Sequence, residues 1–125
     1  MIRKDFIQRH FDELAKVLAV VLQLKNDLKP VEAESKINDF ANDFLNLSIE
    51  ELLAVEGNII DYLKEQKAFT LAHFKILEDL VYHKQLLQPK DNHLQEITVE
   101  VLNYVAAIDS SYSLERMNRI KLLTN

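Results

Sequence analysis

The chain has 125 residues and a formal net charge of −5, with 48% hydrophobic and 28% charged residues, a balance that builds one folded domain and excludes disorder as its resting state. The acidic balance disfavours a nucleic-acid partner, which needs a basic surface, and the lack of cysteine excludes disulfides, thiolate metal sites and cysteine nucleophiles. One glycine and two prolines are too few for the turns of a sheet and point to long helices joined by short loops.

The first residues carry Arg3 and Lys4 ahead of an apolar run, but Asp12, Glu13 and Lys16 interrupt it and no cleavage site of small residues follows. The expectation is a cytoplasmic protein without a leader. A first helix is predicted over 3–25, with Asp5 as its N-cap or as a favourable charge in its first turn. Within it, Leu14 to Leu24 is apolar except at Lys16 and Gln23. That stretch is about half the length needed to cross a bilayer, so no membrane association is expected. Two stripes run along the helix, one through Ile7, Phe11, Leu14, Leu18 and Val21, the other through Phe6, Val17, Val20 and Leu24. Two stripes imply two packing partners, so this helix is expected to organise the fold, with Val17, Val20 and Leu24 mostly buried.

Asn26 to Pro30 reads as a turn, with Pro30 suited to the first position of the next helix. The second helix is predicted over 31–47, with an apolar face of Ala33, Ile37, Phe40, Ala41, Phe44 and Leu47. Asn38, Asn42 and Asn46 recur every four residues; the reading is a solvated polar face, with an amide ladder for a ligand as the rival. Ser48-Ile-Glu-Glu51 fits a capping box. It opens a region, 49–65, of two short helices broken at Gly57 and restarted by Asn58, or of one kinked helix. Thr70 can cap a long helix to Leu87 with the stripe Leu71, Phe74, Leu77, Val81 and Leu87. Asp91 or Asn92 caps the next, to Ile108, with Leu94, Ile97, Val101, Tyr104, Val105 and Ile108 inward. The β-branched Ile97, Thr98, Val99 and Val101 would also allow a strand, but spacing and length favour a helix. A last helix over 114–123 is expected to turn Leu114, Met117 and Ile120 inward and to pair Glu115 with Arg119. The fold expected is all-α, an antiparallel bundle of six to seven helices in a single domain.

Met1 to Arg9, Leu14-Ala15 with Val21-Leu22, Leu45 to Leu53, the hairpin 70–108 and Tyr112 to Arg116 together resemble an uncharacterised bacterial family of small helical proteins. The resemblance covers most of the chain and implies that the 70–108 hairpin is similar to a tetratricopeptide-repeat (TPR) hairpin. It implies no catalytic residue. The small residues and glycine of a true repeat are missing from the hairpin, and a lone repeat builds no concave groove.

The remaining patterns carry little chemistry. One glycine excludes phosphate-binding loops and the nucleophile elbow. His10, His73, His83 and His93 offer no pair at helical metal-ligand spacing. His83 lies one turn after Asp79, which reads as a surface charge pair in preference to an oriented base. Glu32 with Glu34, Asp39 with Asp43, Glu50 with Glu51 and Glu96 with Glu100 read as solvated faces, since no Glu-x-x-His accompanies them. Arg116, Arg119 and Lys121 near Tyr112 form the densest basic cluster, read as a solvated helix surface. Tyr62, Tyr82, Tyr104 and Tyr112 could border a groove, and aromatic residues are enriched at interfaces.

No catalytic, cofactor-binding or metal-ligating residue is expected. The leading functional expectation is a non-catalytic protein–protein interaction or scaffold module, with a protein partner or a homodimer. The alternatives are a small-molecule sensor or enzyme with a site between helices, and weak nucleic-acid binding through the C-terminal helix.

Overall fold

In a computed structural model, which describes the backbone of residues 4–125 and the side chains of 8–125, every regular element is an α-helix. The seven helices among the described residues are α1 (Lys4–Asn26), α2 (Pro30–Leu45), α3 (Ile49–Leu53), α4 (Ile59–Gln66), α5 (Leu71–Leu87), α6 (Asn92–Ile108) and α7 (Leu114–Thr124). The chain is an all-α bundle. The roles expected for Arg3 and for the side chains of Asp5, Phe6 and Ile7 fall outside the described residues.

The helix starts follow from their caps. Asn58, Asp91 and Ser113 each accept the backbone N–H three residues on, which satisfies one of the free donors of a first turn. Ser48 and Glu51 close the anticipated capping box, with Ser48 N–H donating to Glu51 at 2.9 Å and Glu51 N–H donating to Ser48 Oγ at 3.3 Å. The 49–65 region is therefore two helices, with Gly57 at φ +96° between them. Pro30 occupies the first turn of α2. The run Ile97 to Val101 is helical, and Thr98 donates to the Leu94 carbonyl one turn back at 2.8 Å.

The stops of α1, α2 and α4 use left-handed residues that are not glycine. At the end of α1, Lys29 N–H bonds the Leu24 carbonyl and Leu28 N–H the Lys25 carbonyl, with Leu28 at φ +60°. This is a Schellman ending, and position 28 is where glycine is usual. Helix α2 stops two residues earlier than expected because Asn46 turns left-handed at φ +50°. Leu47 N–H then reaches back to Ala41, and the Leu47 side chain drops into the core, fully buried. Ala68, at φ +54°, does the same at the end of α4: Phe69 N–H bonds the Leu63 carbonyl and the Phe69 ring is buried.

The organising helix is α5, not α1. Phe74, Ile76, Leu77, Leu80 and Val81 of α5 are all within 2% of complete burial, because α1, α2 and α6 pack around it and α7 is tied to it by ion pairs. Helix α1 touches α2 and α5 and leaves its far side to solvent. Leu14 and Val21 are buried and Phe11, Val17, Leu18 and Leu24 are half-covered, but Val20 and Leu22 are each 44% exposed. The burial expected of Val20 is thus corrected: α1 has one covered side, and its second stripe lies at the margin. The inward face of α2 is as anticipated, with Phe40 and Phe44 stacked at 4.3 Å between ring centroids. Helices α3 and α4 lie against α6, where His93 Nε2 meets the Leu53 carbonyl at 2.8 Å.

Leu28 is 86% exposed, so its side chain contributes little packing while its backbone stays in the left-handed region. Leu28→Gly is expected to raise stability by up to about 1 kcal/mol, the left-handed cost less the added chain entropy of glycine. Urea unfolding followed by helical circular dichroism reads the shift in midpoint.

Candidate functional site

The site with the most chemistry lies where α7 meets α5. Helix α7 sits with its polar side inward. Arg116 is the residue of α7 that is buried, and Arg119, Ile120 and Leu123 are half-covered. Leu114, Met117 and Leu122 point outward at 64%, 39% and 62% exposure. The expectation that Leu114 and Met117 face inward is overturned, while Ile120 keeps its inward position.

Glu78 of α5 explains the rotation. Its carboxylate is 5% exposed and accepts two hydrogen bonds from Arg116, Nε at 2.7 Å and Nη2 at 2.9 Å. A buried carboxylate without a cation is far more costly than an exposed leucine, so Arg116 sets the orientation of its helix. Arg119, one turn on, donates to Asp79 at 2.6 Å, pairs with Glu115 as anticipated, and lies over the Tyr82 ring, 4.3 Å from its centroid. Asp109, before α7, joins Arg116 at 3.5 Å and Lys75 at 3.6 Å.

Burial pushes the Glu78 carboxyl up from its ordinary value against the pull of Arg116, and the hydrogen bonds to Glu78 hold the Arg116 guanidinium still more firmly protonated. Asp109 is held below the usual carboxylate range, first by the Ser111 N–H and then by Lys75 and Arg116. Asp79 makes no ion pair with His83 as the spacing suggested; its Oδ1 accepts from Arg119, and its charge reaches His83 only as a minor pull against burial. His83 is half-buried with its ring edge-on to Tyr82, and its pKa is lowered by burial first and by Arg119 second.

Two clefts adjoin this network. One of about 200 Å³ is lined by Phe11 of α1, by Lys75, Glu78 and Asp79, and by Ser113, Glu115, Arg116 and Arg119. The second, about 650 Å³, is lined by Tyr82 and by Leu114, Glu115, Asn118, Arg119 and Leu122. Glu115 and Arg119 contribute to the walls of both. The charged groups of the first cleft neutralise one another, and the second is walled by the outward leucines.

The tyrosines do not gather. Tyr82 lines the larger cleft, and Tyr112, 78% exposed, borders a small cleft beside Asp109 and Met117. Tyr104 packs on Phe74 at 4.8 Å. Tyr62 donates to Glu51 at 2.6 Å, and that carboxylate also pairs with Lys67 at 3.0 Å. Burial would raise Glu51, but Tyr62, Ser48 and Lys67 together hold it below its ordinary value. The asparagine ladder divides likewise. Asn38 accepts from the buried Lys84 at 3.2 Å, Asn42 bonds the Asn38 carbonyl, and Asn46 is the left-handed cap. Glu32, Asp39, Asp43, Glu50, Glu96 and Glu100 are exposed and Glu34 half-exposed. Of the basic trio, Arg116 and Arg119 are engaged with carboxylates and Lys121 faces solvent.

Among the described residues no three His, Asp or Glu side chains are grouped so as to hold a metal ion, and no helix is long and apolar enough to cross a membrane. No known protein family, curated protein or solved structure matches the chain.

The sequence reading missed Glu78. Its signal was present, because Glu78 lies one turn after Phe74 and one turn before Val81 in a strongly apolar helix, and a charge in such a place calls for a buried partner.

Two outcomes are expected. Arg116→Leu strands Glu78 and costs about 3–5 kcal/mol, whereas the double variant Glu78→Leu/Arg116→Leu returns close to the parent or above it; urea unfolding of the four members of the cycle measures the coupling. His83 has a lowered pKa in the folded chain, so below pH 6.5 the unfolded chain binds the proton more readily. Its contribution is fully present above pH 6.5 and is lost as pH falls toward the folded value. Thermal melts between pH 7.5 and 5.0 should show a declining Tm, with a shallower slope in His83→Gln.

Proposed function

We propose that this protein is a non-catalytic helical interaction module whose docking face is the outer side of α7 and the cleft it forms with Tyr82 of α5. The carrying observation is the rotation of α7: its arginines are turned inward and Leu114, Met117 and Leu122 outward. Outward apolar side chains grouped beside a cleft on an acidic, charge-rich protein suit a binding face. Tyr82 and Asn118 supply an aromatic floor and an amide beside the leucines, the mixture typical of an interface core and its edge. The partner is a second protein or a second copy of this chain.

The engagement of Arg116 and Arg119 with carboxylates argues against nucleic-acid binding through this helix, since a phosphate would have to compete with Glu78 and Asp79. Internal neutralisation in the smaller cleft supports reading it as a fastening more than as a small-molecule site. The reading extends to a likeness between the α5–α6 hairpin and one degenerate TPR hairpin, as in the bacterial family that the sequence resembles, and to a cytoplasmic setting, which suits a cysteine-free chain.

The test places a photo-cross-linking residue at Asn118 in cells. The expected result is a discrete adduct that disappears in Leu114→Asp/Leu122→Asp, while the melting curve of that variant stays within about 0.5 kcal/mol of the parent, as for exposed positions. Persistence of the adduct in the double variant overturns the proposal. Light scattering over a range of concentrations distinguishes a homodimer from a different partner.

A further inference from the structure

The start of α5 is capped by an unusual pair. The third helical residue, where a capping box carries Glu or Gln, is His73. Its Nδ1 accepts the Thr70 backbone N–H at 2.9 Å and lies 2.9 Å from Thr70 Oγ1. An acceptor role requires a lone pair on Nδ1, so the neutral ring carries its proton on Nε2. A carboxylate or amide in this place would accept at any pH above the carboxyl range. An imidazole accepts only while neutral.

We propose that the Thr70–His73 cap is a proton-operated joint between α4 and α5. A proton on Nδ1 takes its lone pair from Thr70 N–H and gives the ring a donor for which Thr70 Oγ1, 2.9 Å away, is the acceptor at hand. The bond that closes the first turn is exchanged for one between side chains. The new positive charge also sits at the helix N-terminus, where the backbone dipoles oppose it.

The surroundings favour the closed, neutral state. His73 is half-buried, and its ring stacks on buried Phe69 at 5.2 Å. Phe69 also packs edge-on against Phe74 at 5.2 Å, and its N–H fastens the end of α4 to the Leu63 carbonyl. The titratable group that acts on His73 from a neighbouring helix is His10 of α1, whose ring stands edge-on to Phe44 of α2. A charge on either imidazole repels a charge on the other. Burial first, and His10 second, accordingly lower the His73 pKa. Opening the cap therefore loosens the one junction that links α4, the left-handed Ala68 and the organising helix.

Nitrogen NMR of the intact chain, with amide exchange at Thr70, tests the joint between pH 7.5 and 5.0. His73 is expected as the Nε2–H tautomer at pH 7.5, and protection of the Thr70 amide, corrected for intrinsic exchange, should fall about five-fold across the His73 titration. His73→Gln restores an acceptor that does not titrate and should hold Thr70 protection constant. His10→Gln should raise the His73 midpoint. An Nδ1–H tautomer at pH 7.5, unchanged Thr70 protection in the parent, or an equal loss of protection in His73→Gln overturns the proposal.

Discussion

Glu78 and Lys84 lie on the same helix as Phe74, Ile76, Leu77, Leu80 and Val81, and all of them are buried. Taking a carboxylate out of water costs several kcal/mol unless a well-placed cation and further hydrogen bonds compensate. Much of the remaining architecture answers that requirement. Arg116 must come to Glu78, so α7, which packs against α6, must turn its arginines toward α5, and Leu114 and Leu122 face away. On another side of α5, Lys84 leans on Asn38, and one amide of an otherwise solvated row becomes part of the α2–α5 contact. Gln85 is a third buried polar side chain on the same helix.

The sequence was legible where the signals are local. Caps at Ser48, Asn58, Thr70 and Asp91, the first-turn position of Pro30 and the break at Gly57 all depend on residues within one turn of each other, and the helices begin where those residues stand. The faces of α2 and α6 were also readable, because each has a single dominant stripe, although Ile108, expected inward at the end of α6, is 42% exposed; α5 is buried on several sides, and no one stripe describes it. Reading failed where two phases compete. In α7, Leu114 and Met117 define one inward face and Arg116, Ile120 and Leu123 another. The choice rests on Glu78, 38 residues away in sequence, and helical periodicity contains no information about it. In α1 the failure was different. An apolar run reports the burial it tolerates, not the neighbours available, and only one side of α1 has neighbours.

The loops show how a chain with one glycine makes its turns. Leu28, Asn46 and Ala68 take left-handed geometry, and at two of them the following residue, Leu47 or Phe69, is buried. The backbone cost at the turn is offset by the apolar side chain that the turn delivers to the core. The left-handed residue and the buried one after it thus act as a unit, and the candidate acid-sensitive joint at Thr70 begins directly after one of them.

Two arginines three residues apart on α7 meet two adjacent acids on α5, and this fit works like a key with two teeth. Sliding α7 by a turn in either direction would leave at least one of the two acids without its guanidinium, and rotating it would bury a leucine against a carboxylate. The helix therefore has one seat. Leu114 and Leu122, two turns apart on its outer edge, are consequently held about 12 Å from each other at a fixed azimuth. Whatever meets that edge meets a rigid gauge, and selectivity would come from matching its spacing more than from the amount of apolar surface it presents.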